Sequence, residues 1–106
     1  IDLFHMQQYA YVLKRMKEIK ESDGSSMLDN SLVTYGAALG DGSTHQYYDL
    51  PMIVAGRAQR QVNQGRFIQC KSGTLNSNLW LSVAKLMGLE IESFADSTGL
   101  ISDMWT

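Results

Sequence analysis

Two short apolar runs with a polar stretch between them constrain this chain most. Leu32-Val33-Thr34-Tyr35-Gly36-Ala37-Ala38-Leu39 is nearly continuous in apolar and β-favouring residues, and Pro51-Met52-Ile53-Val54-Ala55 repeats the pattern before Gly56. A continuous run, rather than strict alternation, suits a strand covered on both faces, as in a parallel sheet. Gly36 inside the first run points to a close backbone approach, and Pro51 is tolerated at the start of the second because no ladder donor is needed there.

Helical periodicity frames the two runs. Met6, Tyr9, Leu13, Met16 and Ile19 recur at three- and four-residue steps, with Ala10 and Val12 widening the stripe, which predicts an amphipathic helix over 2–22 with Asp2 as N-cap. Asp23-Gly24 is a turn signal that ends it. A second helix is predicted over 76–87, with Leu79, Val83, Leu86 and Met87 on its inner face and Gly88 as a left-handed cap, Leu89 folding back behind it. Arg66-Phe67-Ile68-Gln69-Cys70 reads as a short third strand. The resulting order is an α/β layout: a small, mostly parallel sheet flanked by two main helices. Two or three strands leave unpaired edges, which calls for further strands from more chain or from a second copy. The chain starts with Ile1 rather than methionine, and the reading of residues 1–106 is a single C-terminal fragment of a larger domain. Apolar area left open on the first helix would point to additional chain or a dimer partner.

The hydrophobic fraction of 44% and charged fraction of 19% fit a globular fold rather than disorder. A net charge of −2 supplies no basic field for a phosphate backbone, so nucleic acid is not an expected partner. The cations nevertheless cluster: Lys14, Arg15, Lys17 and Lys20 on the first helix, and Arg57, Arg60 and Arg66 in one loop region. These are solvated faces or, on the helix, a dock for an acidic partner. Cys70 is the only cysteine, which excludes an internal disulfide and a cysteine-based zinc site; a free cysteine usually behaves as a small buried hydrophobe. No apolar run approaches the roughly 20 residues that span a bilayer.

Chemistry is best placed in the loop Gly40 to Asp49. It follows the C-terminal end of a buried strand, where open α/β sheets bind ligands. Asp41 and His45, four residues apart around a Gly-Ser turn, are carboxylate and imidazole donors for a divalent metal such as zinc, provided that a further ligand comes from elsewhere. The same residues also suit a structured loop in which Asp41 and Ser43 cap backbone groups. His5 falls on the first helix beside Phe4. Ser97 and Thr98 follow Asp96 in a turn-like stretch, with no base in evidence to activate a nucleophile. Asp41-Gly42 lacks the trailing Lys and Ser/Thr of a phosphate-cradling loop.

Taken in order, Ile1-Asp2-Leu3-Phe4-His5, Asp23-Gly24, Leu28-Asp29-Asn30-Ser31-Leu32, Tyr35-Gly36, Gly40-Asp41-Gly42 with His45, Leu50-Pro51 through Ala55-Gly56, Gly65-Arg66, Asn78-Leu79 and Phe94-Ala95-Asp96-Ser97-Thr98-Gly99 give the chain a family likeness. Residues 2–101 resemble the C-terminal region of bacterial domain of unknown function 1552, the H-x-x-S-H-H family. The resemblance implies an exported, secreted or periplasmic parent several times this length, with the histidine-rich motif upstream of Ile1. It also implies a distant similarity to the alkaline phosphatase and sulfatase superfamily. By that analogy the chain would be a piece of an alkaline-phosphatase-like fold, with Asp41 and His45 as metal ligands preceding the Leu50-Pro51-Met52-Ile53-Val54 strand.

Two functional expectations follow. In the first, the parent is a metal-dependent hydrolase of phosphate or sulfate esters, with the remaining ligands and the nucleophile upstream. In the second, the chain is a non-catalytic exported binding or interaction domain, its partner the rest of the parent or another copy.

Overall fold

A computed structural model describes residues 1–105. The chain divides into two compact units, residues 1–56 and the remainder from Arg57 onward.

The first unit opens with helix α1, Asp2–Glu18. Its N-cap is Ile1 rather than Asp2, and no side chain caps it; Asp2 sits in the first turn, where its negative charge still meets the positive end of the helix dipole. The helix stops four residues short of the expected 22. Ile19 turns extended, and Lys20 pairs across to Ser26 in an antiparallel bridge. The Asp23 carboxylate drives this early reversal by accepting the Ser25 N–H at 2.9 Å, while Gly24 takes φ +86. Ser26 and Asp29 then exchange side chain for backbone in a capping box, Ser26 N–H to the Asp29 carboxylate at 3.0 Å and Asp29 N–H to the Ser26 hydroxyl at 3.1 Å. That box opens a short 3-10 turn over Leu28–Asn30.

Strands β1 (Val33–Gly36) and β2 (Met52–Ala55) follow. They pair antiparallel, Val33 opposite Ala55 and Gly36 opposite Met52. The mostly parallel sheet of the sequence reading is therefore corrected to a two-stranded antiparallel ribbon, and the alkaline-phosphatase-like architecture that depends on it goes with it. A parallel pair needs a crossover of a dozen or more residues, usually built on a helix. Here the connection from Ala37 to Pro51 contains no helix and folds back on itself, Asp41 bridging to Gln46. It therefore delivers the second strand in the reverse direction. The strands are not covered on both faces either, since their residues are at best half-buried and Ile53 is exposed.

The Met6, Tyr9, Leu13 and Met16 stripe of α1 is half-buried. Tyr9 ties the helix to β1: its hydroxyl donates to the Val33 carbonyl at 2.9 Å, and its ring lies 5.3 Å from that of Tyr35. Gly56 closes the unit at φ +100, with the Ser31 carbonyl oxygen where a side chain would begin.

The second unit is organised by helix α2, Asn76–Leu86. Its end matches expectation. Gly88 has φ +88, its N–H bonds the Lys85 carbonyl and that of Leu89 the Ala84 carbonyl, each at 3.0 Å, which is the Schellman pattern. The buried face carries Leu79, Leu81 and Leu86, with Asn78 and Ser82 between them, whereas Met87 is exposed. Ala58, Val62 and Met104 complete the apolar core, Val62 pairing with Trp105. Residues 66–70 form no strand. An isolated third strand would have had no partner for its N–H and C=O groups, and these residues are instead exposed or half-buried irregular chain. Cys70 is exposed, not the buried hydrophobe anticipated.

All the buried hydrophobic residues among those described belong to this second unit.

Candidate functional site

The loop from Gly40 to Asp49 folds around one carboxylate. Gln46 N–H reaches the Asp41 carbonyl at 3.0 Å and Gly40 N–H the Gln46 carbonyl at 2.6 Å, which fastens the base of a four-residue turn. Inside it, Asp41 accepts the Ser43 N–H at 2.8 Å on one carboxylate oxygen and the Thr44 hydroxyl at 3.0 Å on the other. The Ser43 N–H chiefly, and the Thr44 hydroxyl after it, hold the Asp41 carboxyl below the usual carboxylate range. His45 completes the turn in the left-handed region at φ 55, and Asp49 repeats that conformation at φ 54.

The structure thus brings Asp41 and His45 to the two ends of one exposed turn. Each Asp41 oxygen already accepts a hydrogen bond from the turn itself. Among the described residues no group of three or more His, Cys, Asp and Glu side chains could hold a metal ion. A divalent ion that takes four donors would find two here and must draw the rest from elsewhere.

The other candidates resolve simply. His5 is exposed on α1, its ring edge-on to Phe4 at 5.6 Å. Ser97 accepts the Phe94 N–H at 2.8 Å and Thr98 is held by Asn78, so both serve the turn before the C-terminal stretch. Cys70 lines a cleft of about 160 Å³ with Lys71, Thr74 and Asp103.

No family model, curated protein or solved structure matches this chain.

The feature that sequence reasoning passed over lies on α1. Phe4 and Tyr11 are seven residues apart and so share a helix flank, opposite the half-buried Met6–Tyr9–Leu13–Met16 stripe. They are 58% and 61% exposed, and Leu3 beside them is 71% exposed. Lys14 and Arg15 share that flank, with Arg15 bonded to Glu18 at 3.0 Å. The seven-residue repeat of aromatic residues was visible in the sequence, but the stronger inner stripe masked it. Among the described residues no helix is long and apolar enough to cross a membrane.

Proposed function

We propose that the chain is an interaction element that binds an acidic, apolar protein surface through the outward flank of α1. The observation that carries this reading is that none of the 17 residues of α1 is buried, while Leu3, Phe4, Tyr11 and Val12 are exposed. A helix with apolar residues on more than one side is normally covered on more than one side. Apolar residues scattered singly need no explanation, but Phe4 and Tyr11 lie together on one flank of the helix beside Lys14 and Arg15. Aromatic residues combined with arginine are the composition of interface hot spots. The Gly40 to Asp49 loop supports the same reading from the other direction. Both oxygens of its carboxylate accept hydrogen bonds from its own turn, as a structural connector would use them.

The test places a photo-crosslinking phenylalanine analogue at Tyr11, and separately at His45, in the protein expressed in its own cells. The expected result is a defined conjugate from position 11, lost on Phe4→Ser, whose captured peptide is acidic and apolar. Conjugates from position 45 with none from position 11 would overturn the reading.

A further inference from the structure

Resting on the reading of α1 as an interaction surface, we infer that its occupant is the Met87–Asp103 stretch of a second copy of this chain. Between residues 3 and 20 the chain carries four cations, Lys14, Arg15, Lys17 and Lys20, against the single acid Glu18. Beyond Lys85 there is no Lys or Arg at all, and Glu90, Glu92, Asp96 and Asp103 are all acidic. The acidic stretch is also apolar on its surface: Met87, Leu89, Phe94 and Leu100 are exposed. Of these cations Lys14 and Arg15 share the flank of Phe4 and Tyr11, Lys17 lies on another side of the helix, and Lys20 lies two residues beyond its end. The first segment is thus basic and aromatic and the last acidic and apolar, each with its own uncovered hydrophobic residues. Complementary charge of this kind selects the partner and the register of docking.

The contact joins α1 of one copy to the acidic stretch of another. A stable interface takes about 800 Å² from each partner. An aromatic side chain offers roughly 150–250 Å², and Phe4, Tyr11 and Leu3, all more than half exposed, supply the apolar part of the α1 side.

The test uses two charge-reversed variants, Lys14→Glu with Lys17→Glu, and Glu90→Lys with Glu92→Lys and Asp96→Lys. All five side chains are exposed, so the fold does not depend on them. In the first variant both surfaces carry net negative charge; in the second both carry net positive charge. Sedimentation velocity over a wide concentration range should show a wild-type dimer that weakens with salt. Each variant alone should associate at least about tenfold more weakly, and their equimolar mixture should return to within about threefold of wild type, because a basic surface of one variant then again meets an acidic surface of the other. A wild-type chain that stays monomeric, or a mixture no tighter than its components, would overturn the proposal. The crosslinker at Tyr11 separates the two failures. If it marks a different protein while the chain is monomeric, the second copy is refuted and the interaction reading stands. If it marks nothing, both are refuted.

Discussion

Asn78 holds Thr98 by two hydrogen bonds, accepting the Thr98 N–H at 2.8 Å and donating to the Thr98 hydroxyl at 3.2 Å. One turn further along the helix, the fully buried Ser82 hydroxyl donates to the Asn78 carbonyl at 2.7 Å and accepts the Ile101 N–H at 2.8 Å. Two small polar residues of α2 thus set the path of the C-terminal stretch. Asn78→Leu leaves the Thr98 amide without its partner and should cost about 1–3 kcal/mol. Asn78→Asp keeps the acceptor and should cost less. Amide hydrogen exchange checks this: protection at Thr98 should fall in the first variant and persist in the second. Equal losses in both would mean that the acceptor is not what matters.

Gly56 and Ser31 make a second close relationship. Gly56 has φ +100, and the Ser31 carbonyl oxygen lies where its Cβ would stand. Gly24 also has positive φ, +86, but nothing lies within 4 Å of its would-be Cβ. Gly24→Ala should therefore cost only the left-handed backbone penalty, roughly 1–2 kcal/mol. Gly56→Ala adds a backbone clash and should cost distinctly more. Denaturant midpoints of the two variants compare the terms directly; equal shifts would show that the clash is relieved at no cost.

Local features were legible in the residues, and relationships between distant ones were not. The three- and four-residue spacing of Met6, Tyr9, Leu13 and Met16 marked α1, and Gly88 with Leu89 marked the end of α2, because both signals lie within a few turns of chain. Strand direction was misjudged because an apolar run reads alike for a strand buried in a parallel sheet and for one left half-covered; direction is decided by the connection. The absence of any helical pattern between Ala37 and Pro51 was the usable clue. The overrun of α1 to residue 22 has a similar cause. Ile19 continues the apolar spacing, but the Asp23 carboxylate fixes a competing turn at Ser25. Asp41 and His45 were correctly seen to share a turn, while only the structure shows both carboxylate oxygens engaged within it.

Asp41 gives a pH dependence whose sign can be worked out. Its folded pKa is held below the ordinary value by the Ser43 N–H and then the Thr44 hydroxyl. The carboxylate therefore contributes stability at pH above the ordinary aspartate value, and that contribution is lost as pH falls through the lower, folded value. Carbon NMR titration of the Asp41 carboxyl should give a midpoint below that of an unfolded peptide of residues 38–48. Asp41→Asn should flatten the acid limb of the stability profile. A midpoint equal to the peptide's would remove the basis for both.

Zinc tests whether the turn can hold a metal ion by itself. Structural sites take four protein donors and catalytic sites three plus water, whereas the turn offers Asp41 and His45 with both Asp41 oxygens already accepting hydrogen bonds. Each Asp41 oxygen keeps a lone pair beside its hydrogen bond, but an ion held by this turn alone would gain only the Asp41 and His45 ligand bonds. A ligand stabilises the folded state only when its concentration exceeds its dissociation constant. Micromolar zinc should therefore leave the melting temperature of this chain unchanged, in wild type and in Asp41→Ala and His45→Ala alike. Calorimetry should show no stoichiometric uptake. Stoichiometric binding at micromolar zinc, abolished in both variants, would mean that the turn opens to receive a metal and would return the ester hydrolase reading to first place.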